Sequence, residues 1–256
     1  MGMFDFITGK GTSDKAIEKH VARAKNKDAQ SVDRFESLEI LVGHAGSGEL
    51  RSKAVLGLLG RFTIRYDKGI EDEQEKDYVF EQLRHLGSSI LPEVEQHMHT
   101  AESIAWGLKL LGEVANQEEA WPILDRLCER NDNNYTRDPS KKNQLVHFLG
   151  EHADPRGGIA LIPYLEDVDE GVRFTTVEGI LRHKPEEAKR PLLALLASDR
   201  EQSRRVKKRI VEGLSETGWD VRGDAPELMA KLVADLMPGG KIDKEGRVRR
   251  AAAGEK

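Results

Sequence analysis

Eight histidines, one cysteine and several acidic clusters are the residues of this 256-residue chain whose chemistry could support catalysis or metal binding. His97 and His99 stand two apart and diverge on a helix; His147 and His152 stand five apart and do not face each other. Neither pair makes a metal site, and no cysteine pair offers zinc spacing. Asp67-Lys68-Gly69-Ile70-Glu71-Asp72-Glu73 gathers carboxylates, but a calcium loop needs acids at alternating positions around a central glycine and a closing Glu. That register is missing, so the segment reads as an acidic connection leading to a solvated helix start, favoured by the helix dipole. Gly43 to Gly48 carries three glycines in a turn without the strand or the Gly-Lys-Ser/Thr of a phosphate loop. Cys128 falls on the apolar face of Ile123 to Cys128, and no Gly-x-Ser-x-Gly elbow exists. The expectation is a protein without catalytic residues, metal or cofactor. The densest charge is basic: Arg204-Arg205 and Lys207-Lys208-Arg209, with Glu212 one turn beyond Lys208.

The elements that carry these residues repeat. Val172-Arg173-Phe174-Thr175-Thr176-Val177-Glu178-Gly179-Ile180 returns 34 residues later as Val206-Lys207-Lys208-Arg209-Ile210-Val211-Glu212-Gly213-Leu214. Self-similarity at such a period predicts stacked two-helix units, none of which can bury its own apolar stripe. Leu161-Ile162-Pro163-Tyr164-Leu165 followed by Glu166-Asp167-Val168-Asp169-Glu170-Gly171-Val172-Arg173 resembles a HEAT repeat of the armadillo-like class. In that family the first helix ends in an aliphatic run with a proline, and an acidic turn then leads into a Val-Arg pair. The next copy keeps Leu192 to Leu196 and Asp199 but has Val206-Lys207 in place of Val-Arg. The resemblance implies an α-solenoid serving as a scaffold or binding surface and leaves the ligand open. Two enzymatic families of the same class make specific demands on the sequence. A HEAT-like di-iron hydroxylase needs His-Glu dipeptides, which this chain lacks; Glu151-His152 is reversed. A HEAT-like DNA glycosylase or another nucleic-acid-binding solenoid is the alternative, with Trp106, Trp121 and Trp219 available, although Trp106 sits in the apolar run Ile104 to Leu108.

Charge argues against nucleic acid. Residues 1 to 199 hold 26 Lys and Arg against 35 Asp and Glu, whereas residues 200 to 256 hold 14 against 10. An acidic body cannot displace counterions from phosphate, and the basic end leaves room only for a local anionic contact. Apolar residues make up 38% and charged residues 33%, which suits thin helical layers better than one large core. No run reaches the roughly 18 apolar residues of a membrane span, and the expected location is the cytoplasm.

The predicted architecture is all-α, a HEAT-like solenoid of about five helix pairs over residues 13–237. An apolar arm, 1–12, precedes it, and a basic tail or small hairpin, 238–256, follows, with Ala251 to Lys256 disordered. Phe4 and Phe6 of the arm either plug the first layer or insert into a partner; Phe6 stands where a myristoylation signal needs Ser or Thr. Leu59-Gly60, Leu111-Gly112 and Leu149-Gly150 are read as helix ends closed by glycine. Asn131 to Pro139 is a polar loop, longer than a usual inter-helix turn. Function is expected as non-enzymatic binding of a protein partner along second helices drawn from Lys141 to Gly150, Val172 to Leu181 and Arg205 to Leu214. Val177, Ile180, Val211 and Leu214 would hold the stack. Arg173, Glu178, Arg205, Lys208 and Glu212 would reach the ligand.

Overall fold

The computed structural model describes residues 14–65, 67–223 and 225–250; the apolar arm and Ala251 to Lys256 lie outside the described residues. The fold is all-α apart from one short hairpin, and no helix among the described residues is long and apolar enough to cross a membrane. The chain divides into two compact units, Met1–Leu124 and Asp125–Lys256.

In the first unit, α1 (Asp14–Ala24), α2 (Ser31–Ala45) and α3 (Arg51–Gly60) pack mutually, and a 3₁₀ turn, Arg61–Thr63, extends α3. Next come α4 (Gly69–His85), a second 3₁₀ turn at Gly87–Ile90, α5 (Leu91–Thr100) and α6 (Ala105–Val114). α4 lies against α2, α3 and α6, while α5 joins α3 to α6. Ile17, Leu38, Leu41, Leu58, Leu83, Met98 and Leu110 are fully buried between these helices. The segment expected as an acidic connection with a solvated helix start is largely helix, and part of it is buried. α4 begins already at Gly69, and Asp72 and Glu75 turn inward, 6% and 3% exposed. Two fully buried bases hold them: Arg34 donates to both oxygens of Glu75 at 2.7 and 2.8 Å, and Arg61 donates to Glu75 at 2.7 Å and to Asp72 at 2.6 Å. Charge patterning along one helix hides such a cluster, because its cations come from α2 and the end of α3.

Leu124, where the first unit ends, falls inside α7 (Gln117–Arg130). The second unit continues with α8 (Ser140–Glu151), α9 (Arg156–Ala160) and α10 (Glu170–His183), then α11 (Glu186–Ala197), α12 (Arg204–Thr217) and α13 (Pro226–Leu236). α9 is one turn and a half long and passes into a 3₁₀ segment, Ile162–Glu166, where Pro163 brings no N–H to an α-helical ladder. α10 packs between α8 and α12, so Val177 and Val211, 34 residues apart, are both buried on adjoining helices. Their C-caps match as well: α10 ends on Lys184 (φ 54°) and α12 on Gly218 (φ 72°), again 34 apart and both left-handed. Strands β1 (Gly240–Ile242) and β2 (Val248–Arg250) pair antiparallel; β1 leans on α13 and β2 on α12.

Of the glycines read as helix ends, Gly60 is the last residue of α3. Gly112 and Gly150 lie inside α6 and α8, and neither has a positive φ. Gly150 of α8 instead meets Gly179 of α10: a Cβ on Gly179 would stand 2.9 Å from the Gly150 Cα and 2.5 Å from Leu161 Cδ1. Backbone cannot yield as a flexible side chain can. Gly179→Ala is therefore expected to lose about 1–3 kcal/mol by overpacking, where an open helical glycine would gain from alanine. A urea unfolding midpoint equal to or above wild type would contradict this.

Candidate functional site

Second helices α10 and α12 open with equivalent caps, and α8 shares with them the base of its first turn. Asp169 caps α10 by accepting from Val172 N at 2.9 Å, and Ser203, 34 residues on, caps α12 by accepting from Val206 N at 3.2 Å. Two residues before each cap stands a buried acid, Asp167 or Glu201, each accepting the cap residue's backbone N–H at 2.8 Å. In the first turns a base then reaches in two directions. Lys142 donates to Asn134 O (2.7 Å) and Asp167 Oδ2 (2.6 Å); Arg173 donates to Asp167 O (2.8 Å) and to Glu201 (2.7 and 3.1 Å). Lys207 takes the corresponding place on α12 and donates to Ser198 O at 3.0 Å. Base from one layer and acid from the next loop thus form a ladder that fixes the spacing of the stack. Arg173, expected to reach a ligand, is engaged inside this ladder, its side chain only 15% exposed. Sequence reading missed Lys142, Asp167 and Glu201. The available signal was the 34-residue interval between the two acids.

The outer face carries a second set of cross-helix contacts. Arg182 pairs with Glu151 of α8, and Arg209 of α12 pairs with Glu178 of α10. Arg205 lies over the Phe174 ring, 3.6 Å from its centroid, and approaches Glu170 at 3.4 Å, while Ser203 Oγ donates to Glu170 at 2.9 Å. Lys208 and Glu212 face one another at 3.7 Å along α12. The structure therefore brings Glu178, Arg205, Lys208 and Glu212 onto the α10–α12 surface, with Arg205 and Lys208 more than half exposed. Between α8 and α10 a depression of about 120 Å³ is walled by His147, Glu151, Phe174, Glu178 and Arg182. This surface is of mixed sign, with each exposed charge near an opposite one. It suits a polar protein surface better than a phosphate backbone, which requires unpaired bases.

At the turn end of the same layers a groove of about 1010 Å³ opens beside Pro163, Val168, Pro191, Ala194 and Leu195, with Arg173 and Glu201 also lining it. The polar loop is tied to this end, Asn133 Nδ2 donating to Pro163 O at 3.0 Å. Cys128 and Trp106 both lie in packed surroundings. Burial pushes the Cys128 thiol up to about 11, which removes thiolate at neutral pH. Trp106 stacks on Phe62 with centroids 4.9 Å apart and planes 2° off parallel, and packs obliquely on Phe80. Among the described residues no three His, Cys, Asp or Glu come together as a metal site. No known protein family matches the chain, and no curated protein matches it either.

Proposed function

We propose that the chain is a HEAT-like α-solenoid acting as a non-enzymatic protein-binding scaffold, with the exposed face of α8, α10 and α12 as its binding surface. The observation that carries this reading is the ladder of equivalent contacts at the 34-residue repeat. Asp167 and Glu201, Asp169 and Ser203, and Val177 and Val211 do the same work in successive layers. A stack held rigid from within presents its outer side chains at fixed spacing, which lowers the ordering cost of binding. Arg205, Lys208, Glu178 and Glu212 supply directional polar contacts, and Phe174 beneath Arg205 supplies apolar area. The cytoplasm fits a chain whose single cysteine can form no disulfide within it.

The test is affinity capture from cell extract with the intact chain as bait, read by mass spectrometry. Arg205→Glu/Lys208→Glu is expected to reduce recovery of the bound protein about tenfold while leaving helicity unchanged, because reversed charges meet the partner with the wrong sign. Equal recovery by the variant and wild type would remove this face as the binding surface.

A further inference from the structure

A second surface lies in the first unit, independent of the face just described. α2 and α4 pack side by side and leave between them a groove of about 370 Å³, walled by Val32, Phe35, Glu36, Glu39, Glu71 and Gln74. The α2 residues stand at i, i+3, i+4 and i+7, a single stripe along the helix. Val32 is 81% exposed and Ile70, in the first turn of α4, is 75% exposed, so aliphatic surface lies uncovered at this end. Phe35 is fixed by Tyr78, its ring centroid 4.8 Å away. The walls are also tied: Ser31 and Arg34 of α2 both donate to Glu75 of α4. The groove is therefore preformed.

Its rim is of one sign. No Lys or Arg lines it, and among the described residues neither Glu36 nor Glu39 receives a hydrogen bond or salt bridge from a basic side chain. Glu71 accepts from Lys68 at 3.2 Å through one oxygen, and its other oxygen is sealed from water with no donor among the described residues. The Glu71 side chain as a whole is 37% exposed, so its carboxylate still adds to the negative rim. Residues 1–124 carry 15 Lys and Arg against 21 Asp and Glu, which extends the attraction for cations beyond contact distance. The same field repels nucleic acid, phosphate groups and anionic lipid.

We infer that the α2–α4 groove docks a basic amphipathic helix from a partner protein. The apolar stripe of that helix covers Val32 and Phe35, and its lysines or arginines meet Glu36, Glu39 and Glu71. A third helix laid along two packed ones is the geometry of helix-in-groove recognition, with anchors one turn apart.

The experiment titrates the full chain into two fluorescent 18-residue peptides and follows anisotropy. One peptide carries leucines on one helical face and lysines on the other; its counterpart carries glutamates in place of the lysines. The lysine peptide is expected to saturate one site and to weaken about tenfold or more between low and 0.5 M salt, where screening shortens to a few ångströms. The glutamate peptide is expected not to bind. Glu36→Lys/Glu39→Lys and Val32→Asp, all at exposed positions, should each weaken the lysine peptide about tenfold or more. Glu102→Lys/Glu113→Lys, the same charge change away from the groove, and Arg205→Glu/Lys208→Glu should bind as wild type does. Absence of binding, or equal loss in the Glu102/Glu113 variant, would overturn the assignment. So would sedimentation showing a wild-type dimer that Glu36→Lys/Glu39→Lys dissolves, since the groove would then belong to a second copy of the chain.

Discussion

Glu75→Ala is expected to destabilise the protein by about 3–5 kcal/mol, because it strands two buried guanidinium groups that share one carboxylate. Arg34 and Arg61 are both fully buried, and each has its Nε 2.7 Å from Glu75 Oε2. Arg61 keeps Asp72 at 2.6 Å after the change, and Arg34 keeps the carbonyl of Ala29 at 3.0 Å, so neither loses every acceptor. What disappears is the charge that offsets their desolvation. Replacing the group as a whole should be far milder: Arg34→Met/Arg61→Met/Glu75→Leu removes charges and partners together and leaves nothing ionic unpaired. Urea unfolding of the three forms decides the matter. A Glu75→Ala midpoint within experimental error of wild type would show that the cluster contributes nothing.

Acid should act on the same cluster. Burial pushes the carboxyls of Asp72 and Glu75 up, and hydrogen bonds more than reverse it, from Lys76 and Arg61 to Asp72 and from Arg34 and Arg61 to Glu75. Both are held below their ordinary values. A carboxylate with a depressed folded-state pKa stabilises the fold fully above its unfolded value, near 4, and loses that contribution as pH falls through the folded value. Wild type should therefore lose stability steeply below about pH 4, and Glu75→Gln should show a shallower loss there. Identical acid limbs for the two proteins would contradict the linkage.

Lys142→Met carries the second large effect, also about 3–5 kcal/mol, because the variant keeps the aliphatic stem but leaves Asp167 buried without its cation. The Lys142 and Asp167 side chains are 4% and 0% exposed, and their 2.6 Å contact joins α8 to the loop before α10. The exposed pair Lys208–Glu212 offers the contrast, since solvent screening limits such a pair to at most about 1 kcal/mol. Lys142 also donates to Asn134 O, so its loss releases one anchor of the loop between α7 and α8. Trypsin cleavage at the exposed Arg137 should then accelerate along with the fall in stability. Unchanged cleavage and an unchanged midpoint together would show that this rung of the ladder is dispensable.

The repeat was legible because it is written in residue types that survive averaging over a helix. Val172/Val206, Val177/Val211 and Ile180/Leu214 mark buried positions at the helical period, and all six are fully buried. The hairpin too could be read, from Lys241 to Arg250 around Glu245-Gly246, and Gly246 adopts a left-handed φ of 82°. The candidate face was read less completely. Spacing placed Arg205, Lys208 and Glu212 on α12, but spacing within one helix is blind to Glu170 and Phe174 on the next, which take the exposed head of Arg205. Arg173 was misjudged for the same reason, its partner Glu201 lying 28 residues away in a loop.

By itself the sequence determined the all-α class, the 34-residue period and the positions of the buried stripes, since these follow from local hydrophobic spacing that each helix carries alone. Tertiary structure alone decided which charges are buried. Asp72 and Glu75 are indistinguishable from Glu71 and Glu73 in a string of acids, until α2 and α3 bring Arg34 and Arg61 against them. It likewise decided that Gly150 and Gly179 are contact points between α8 and α10. Both outcomes rest on which helices become neighbours, and pairwise Coulomb and steric terms have no value until the distance between two elements is set.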